Sequence, residues 1–136
     1  TGMEGLEVGA AMEDNNTTDG AVVENTVLYA TYALDAFTIG FQANESDSQT
    51  ANADEDFESY GISYAVSEDI SVSYGVGTVD FELANSEDQE TTAVGISYTS
   101  GGITVSGSMH DGENLGGSAA TTADKAAYEV NIAFAF

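Results

Sequence analysis

The chain has 136 residues, of which 24 are Asp or Glu and one is Lys or Arg, so its formal net charge at pH 7 is −23. This charge excludes nucleic acid and bare anionic lipid head groups as electrostatic partners, and 42% hydrophobic with 10% aromatic residues excludes a disordered acidic chain. Because the chain has no Cys and a single His, it lacks disulfide frameworks, thiolate metal sites and the residues of most catalytic constellations.

Large apolar residues alternate with small ones along most of the chain, which has the length of a single domain, residues 1–136. In "YGISYAV", Tyr60, Ile62 and Tyr64 share one face and Gly61 and Ser63 share the other. A period of two predicts a β-strand. In chain order, this alternation predicts eight strands, at residues 3–13, 24–34, 36–45, 57–66, 69–81, 89–99, 102–111 and 125–136.

The predicted strands have the length, ~9–11 residues, of strands that cross a bilayer at a tilt. Short links, "ALDAF", "AVSEDI" and "YTSGGI", alternate along the chain with long ones such as "EDNNTTDGAVVE" and "DGENLGGSAATTAD". All short turns of an antiparallel meander would then lie at one end and all long loops at the other.

The composition of the two predicted faces separates a soluble barrel from a membrane barrel. A soluble sandwich or barrel puts its large apolar face inside and exposes charged residues on the other face. Here the second face is Ser, Gly, Thr, Ala and Asn, with Glu7 and Glu129 as the clear charged residues within strands. The other carboxylates are predicted to lie mainly in the long loops. This pattern predicts an antiparallel, up-and-down transmembrane β-barrel, with apolar residues toward lipid and small residues toward the interior.

The alternation assigns individual residues to each side of this barrel. Residues predicted to face lipid are Val72, Tyr74, Ile96, Val105, Val130 and Ile132. Residues predicted to face the lumen are Ser73, Gly75, Gly95, Ser106, Glu129 and Asn131. An aromatic girdle on the side of the short turns, which is the periplasmic side in such barrels, is predicted from Tyr32, Tyr64 and Tyr98, and Phe136 would end the last strand at that boundary.

At its end the chain resembles a known family. "KAAYEVNIAFAF" is similar to the C-terminal strand of Gram-negative outer-membrane proteins, and "ISYAVSEDISVSYGVG" and "VGISYTSGGITVSGSM" resemble strand–turn–strand units of general porins, particularly those of marine alphaproteobacteria. The resemblance implies a homotrimer in the outer membrane, with short turns in the periplasm and long loops outside. It also implies that the alternating aromatics, including Phe134, and the final Phe136 form the signal for the barrel-assembly machinery.

One segment departs from a complete porin. The opening "TGMEGLEVGA" is similar to "TSGGITVSGS" at residues 99–108, so the chain is expected to begin in a periplasmic turn. We therefore expect the C-terminal half of a barrel of about sixteen strands, in which strand 1 does not pair with strand 8. A closed eight-stranded barrel stays open as the alternative, because eight strands can close.

Candidate chemical sites are few. Ser71, Ser73, Ser106 and Ser108 have no evident partner base, and His110 is interpreted as a solvated or lumen-facing residue, so no enzyme and no cofactor are expected. Lys125 is expected to pair with a carboxylate. The acidic stretch containing Asp54, Glu55 and Asp56 is a weak candidate for Ca²⁺, which would bridge the loops to lipopolysaccharide phosphates, but it does not match an ordered calcium loop.

These features predict a non-enzymatic channel for passive diffusion of small hydrophilic solutes, with a preference for cations that comes from acidic outer loops. Its partners would be outer-membrane lipid and lipopolysaccharide. The alternative from another class is an acidic extracellular adhesin or fibre subunit, a soluble β-meander assembled with calcium.

Overall fold

The computed structural model describes residues 4–16 and 22–135, which form one antiparallel sheet with each strand paired to the next in the chain. Its strands are β1 (Leu6–Asn16), β2 (Val22–Leu34), β3 (Phe37–Ser48), β4 (Glu55–Ala65), β5 (Ile70–Phe81), β6 (Gln89–Ser100), β7 (Ile103–Glu113) and β8 (Lys125–Phe134). A short 3₁₀ turn, Thr121–Ala123, precedes β8. The predicted up-and-down meander of eight strands is confirmed. Among the described residues, no helix has the length and hydropathy needed to cross a membrane.

The strands reach further toward the long loops than the sequence predicted. β1 continues to Asn16 and β3 to Ser48, and β4 already begins at Glu55. Backbone pairing does not end where polar side chains begin, because a charged side chain can point away from the sheet while its peptide group stays in the ladder. Several carboxylates outside the predicted strands therefore lie in strands: Asp14, Asp47, Glu55, Asp56 and Glu113.

Three short turns join the strands at the opposite end. The β2–β3 turn has two residues, with Asp35 at φ 50°, and in the β4–β5 turn the Ser67 hydroxyl oxygen accepts hydrogen bonds from the backbone N–H of Asp69 and Ile70. The β6–β7 turn consists of Gly101 and Gly102, at φ 57° and 83°. Positive φ at both central residues is the type I′ geometry that matches strand twist.

The segment before β1 has the same local geometry as the end of the Gly101–Gly102 turn. Gly5 has φ 81° and its carbonyl oxygen accepts a hydrogen bond of 2.8 Å from Ala33 N–H. Gly102 has φ 83° and its carbonyl oxygen accepts an equal bond from Ala135 N–H. The similarity between the two sequence segments thus has a structural counterpart.

We expect Gly102→Ala to destabilise the sheet by about 1–3 kcal/mol, because its φ is strained for an L-residue and a Cβ atom there would lie 3.0 Å from the Ala135 carbonyl oxygen. Gly101→Asn is the matched control, since nothing lies within 4 Å of that position and Asn tolerates positive φ. Denaturant unfolding of both variants measures the difference. Equal losses would contradict the role assigned to Gly102.

The register places whole rows of side chains on one face. One row across the eight strands is Leu6, Tyr32, Ile39, Ile62, Tyr74, Val94, Met109 and Tyr128, and the next is Glu7, Thr31, Gly40, Gly61, Gly75, Ala93, His110 and Ala127. The first row defines the outer face. The second defines the inner face, where the sheet borders a cavity of about 660 Å³.

Neither face forms a hydrophobic core within the described part of the chain. Tyr74, Ile96 and Val130 on the outer face are 48%, 56% and 75% exposed. The only described residues that are buried are glycines, namely Gly77, Gly112 and Gly117. Burial is therefore reversed relative to a soluble β-sandwich, in which large apolar residues fill the interior.

The first and last strands of the sheet, β1 and β8, each have one edge without a paired strand. In residues 4–16 and 125–135, β1 pairs with β2 and β8 pairs with β7, and no ladder joins β1 to β8. The sheet is thus open, as expected from the sequence, and the closed eight-stranded alternative is not what the structure forms.

Candidate functional site: the inner face of the sheet

The cavity on the inner face reaches down to the backbone of the sheet. Its floor includes Gly40, Gly61 and Gly75, which are directly opposite one another on β3, β4 and β5. Because these three residues have no side chain, the space above them stays open. The smallness of the residues along this row is what produces the cavity.

The residues predicted to face the lumen all lie on this inner face. Ser73 is directly opposite Gly95, and a Cβ atom on Gly95 would lie 2.7 Å from the Ser73 hydroxyl oxygen. Ser106 is opposite Asn131, and Glu129 is opposite Ser108. Gly75 belongs to the glycine floor. The residues predicted to face lipid lie on the outer face: Val72, Tyr74, Ile96, Val105, Val130 and Ile132.

Three charged side chains on the inner face are hydrogen-bonded to neutral partners. The Tyr29 hydroxyl donates to Glu7 Oε1 at 3.2 Å, and Asn131 Nδ2 donates to Glu129 Oε1. Lys125 Nζ donates to the Thr122 carbonyl oxygen at 3.0 Å. The partner found for Lys125 is therefore a backbone carbonyl and not the expected carboxylate.

One serine has a base beside it, contrary to the prediction. Ser108 Oγ and His110 Nε2 lie 2.9 Å apart, because residues two apart on a strand share a face. The residues directly opposite His110 are Ala93 and Ala127, which offer no carboxylate to orient the imidazole as a catalytic triad requires. The pair forms a hydrogen-bonded polar patch on the wall.

Several large side chains on the inner face were missed. The Tyr29 ring lies over Gly9, the Phe57 ring over Gly77, and the Leu115 side chain over Gly112. Phe57 is separated from Ser59 and Gly61 by even numbers of residues and from Tyr60 by an odd number. The alternation of the strand could therefore have assigned Phe57 to the inner face. Leu115 belongs to the loop after β7, where no periodicity operates.

The predicted girdle residues lie on the outer face near the short turns. The Tyr64 ring stacks on Phe37 with centroids 4.5 Å apart, while Tyr32 is opposite Leu6 and Tyr98 is opposite Val105. Phe134 is opposite Ile103 on the same face. Phe136 lies outside the residues that the structure describes. A second aromatic pair, Phe41 and Tyr60, with centroids 5.1 Å apart, was not foreseen.

The carboxylates proposed for Ca²⁺ do not converge. Asp54 Oδ1 accepts a hydrogen bond of 2.7 Å from Ser48 N–H, whereas Glu55 and Asp56 are consecutive in β4 and point to opposite faces. Asp56 lies on the outer face between Glu45 and Asp80. Within the described ranges, no group of three or more His, Asp or Glu side chains is arranged to hold a metal ion.

Comparison with known proteins agrees with this arrangement. A family model described as Gram-negative porin matches residues 4–136. No curated protein and no solved structure gives a significant match. The match covers nearly the whole chain, and the meander carries the exposed apolar face of an outer-membrane barrel. The chain therefore belongs to the family of Gram-negative porins, the channel proteins of the outer membrane.

Proposed function

We propose that the inner face lines a water-filled channel through which small hydrophilic solutes cross the outer membrane by passive diffusion. The observation that carries the proposal is the reversed burial of the two faces, with large apolar residues exposed and small residues along the cavity. In water an apolar face of this extent is unfavourable, but in lipid it is the favourable arrangement. The channel requires no catalytic residue and no cofactor.

The lumen in this proposal is lined by small or polar residues: Ser73, Gly75, Gly95, Ser106, Glu129 and Asn131. Their side chains occupy little space and hydrogen-bond to water, so a hydrated solute can pass beside them. The alternative of a soluble fibre subunit assembled with calcium has less support, because it needs a packed interior that the described residues lack.

We assign the short turns to the periplasm and the long loops to the cell exterior, as in bacterial barrels generally. Tyr32, Tyr64 and Tyr98 then form the periplasmic girdle. In lipid, an unpaired strand edge leaves backbone groups without partners, so further strands are proposed to lie between β1 and β8 in a barrel of about sixteen strands. The turn geometry at Gly5 supports a continuation of the meander.

The proposed assembly partners follow from the same barrel. We propose that the barrel-assembly machinery recognises the C-terminal strand, with Phe134 and Phe136. We also propose that the barrels form a homotrimer. The outer face would contact lipid, and the rim of long loops lipopolysaccharide.

A preference for cations is proposed from those carboxylates at the long-loop end that face the lumen. The register separates them from their neighbours: Glu13 and Glu55 lie on the inner face, while Asp14 and Asp56 lie on the outer face. Only Glu13 and Glu55 would attract a passing cation over a short distance through water. Charges on the outer face are further away and screened by salt over ~10 Å at 0.1 M.

We expect Glu55→Gln to lower the cation-to-anion permeability ratio by about twofold, since a unit charge roughly 8 Å from an ion in water contributes ~0.5 kcal/mol. Asp56→Asn removes the same charge one residue away on the outer face and should change the ratio much less. Reversal potentials in a KCl gradient across planar bilayers measure both. An anion preference, or equal effects of the two substitutions, would count against this origin of selectivity.

A further inference from the structure

The long loop after β7 begins with a tight reversal of the chain over the inner face. Asn114 directly follows the strand and has φ 52°, while Gly116 and Gly117 have φ 70° and 73°. Gly117 N–H donates to the Asn114 carbonyl oxygen at 2.9 Å, which closes a β-turn. Leu115 is the second residue of this turn. We name residues 114–117 the inward turn.

The Leu115 side chain lies on the wall of the cavity at a point where the strand has no side chain of its own. A Cβ atom on Gly112 would be 2.9 Å from Leu115 Cδ2 and 3.5 Å from Leu115 Cγ, and Gly112 is buried. Both residues border the cavity of about 660 Å³. Gly61 and Gly75, one row nearer the short turns, project no side chain into the same cavity. Leu115 is therefore a step on this part of the wall.

Two hydrogen bonds to the other long loop hold the inward turn. Gly116 N–H donates to Gln89 Oε1 at 2.9 Å, on the C-terminal side of Leu115. Asn114 Nδ2 donates to the Asp88 carbonyl oxygen at 3.2 Å, on its N-terminal side. Both acceptors lie where the loop after β5 joins β6. The residues on either side of Leu115 are thus fixed to a separate part of the sheet.

The end of the inward turn is packed as well as hydrogen-bonded. Glu87 N–H donates to the Gly117 carbonyl oxygen at 3.0 Å. A Cβ atom on Gly117 would lie 3.0 Å from the Phe81 ring and 3.0 Å from Ser86 Cβ, and Gly117 is buried. Moving Leu115 away from the wall would therefore break contacts along the whole inward turn.

We infer that Leu115 is a size-determining residue of the channel, which slows wide uncharged solutes and leaves the preference between cations and anions unchanged. The inference rests on the proposed channel and adds a determinant of solute size to it. The Leu115 side chain occupies space beside the cavity and has no charge, so it acts through the width of the passage. Glu13 and Glu55, in contrast, act through charge.

A thiol at position 115 tests whether this side chain limits the current. The chain has no Cys, so Leu115→Cys can be modified without background. Cys is smaller than Leu, so we expect the single-channel conductance in KCl to rise above that of the unsubstituted protein. Methyl methanethiosulfonate should lower it again, and benzyl methanethiosulfonate should lower it further. Mass spectrometry of the protein verifies that each modification is complete.

Leu83→Cys is the matched control for these reagents. Leu83 lies in the loop after β5 and is 58% exposed, and it does not border the cavity. Complete modification of this variant should leave the conductance unchanged. Equal responses of the two variants to the benzyl reagent would show that position 115 has no special place in the passage, and would overturn the inference.

Swelling of protein-containing liposomes separates width from charge. We expect Leu115→Gly to raise the rate for a disaccharide more than the rate for a monosaccharide, because the wider solute gains more from the added space. The reversal potential in a KCl gradient should not change. An unchanged ratio of the two swelling rates, or a shifted reversal potential, would contradict the role of Leu115.

Gln89→Ala tests whether the hydrogen bonds position Leu115. It removes the acceptor of Gly116 N–H, so the ratio of swelling rates should change in the same direction as in Leu115→Gly. Combined with Leu115→Gly it should add nothing, since no side chain is then left to position. A conducting channel whose current and swelling ratio are the same with every group at position 115 would overturn the inference alone. Absence of any conductance from the unsubstituted protein would overturn the proposed function, and the inference with it.

Discussion

Val94→Arg is expected to lower the free energy of unfolding of the bilayer-inserted protein by about 2–4 kcal/mol, the cost of Arg on the lipid face near the midplane of a barrel. Val94 lies midway along β6 on the outer face, where its side chain is 53% exposed. Exposure to lipid leaves a guanidinium there without water or a counter-ion. The effect follows from the face on which the residue lies and not from a local packing contact.

Ala93→Arg is the matched control, because it adds the same side chain one residue away in the same strand. Ala93 lines the cavity, so its substitute would project into water and cost about 1 kcal/mol or less. Unfolding of both variants by denaturant in lipid vesicles, followed by circular dichroism, gives the comparison. If the two variants lose equal free energy of unfolding, or if the Ala93 variant loses more, the assignment of the outer face to lipid is wrong.

Engineered disulfides are expected to form across β7 and β8 but not between β1 and β8 of one chain. Because the chain has no Cys, each pair can be introduced without background. Ser108 and Glu129 are directly opposite, and opposite residues in an antiparallel ladder have Cα atoms about 4.5–5.5 Å apart, within the range of a disulfide. Ser108→Cys with Glu129→Cys should therefore oxidise almost completely in the folded protein.

The test pairs combine Glu7→Cys on β1 with Cys at position 127, 129 or 131 on β8, all on the inner face. If further strands separate the two edges, as proposed, none of these pairs comes within disulfide distance. Gel mobility with and without reductant distinguishes the outcomes. Rapid oxidation of any one pair within a single chain would establish direct closure of eight strands and refute the larger barrel.

The sequence by itself determined which residues share a face. Successive side chains of a strand point to opposite sides, so parity alone separated Val72 and Ile96 from Ser73 and Gly95 before any pairing was known. The order of the strands and the position of the short turns also followed from the sequence, since two-residue links such as Gly101–Gly102 leave antiparallel neighbours no other arrangement. These properties are local, and local sequence is enough to specify them.

Only the tertiary structure decided where the strands end and what meets across them. Asp56 and Glu55 are similar residues in an acidic stretch, yet the ladder from β3 to β5 extends through both and sends them to opposite faces. Register brings Gly9, Gly77 and Gly112 to one level of the inner face, and hydrogen bonds between segments far apart in the chain position Leu115 over Gly112. Such contacts join residues that are distant in sequence, and no periodicity within a single segment encodes them.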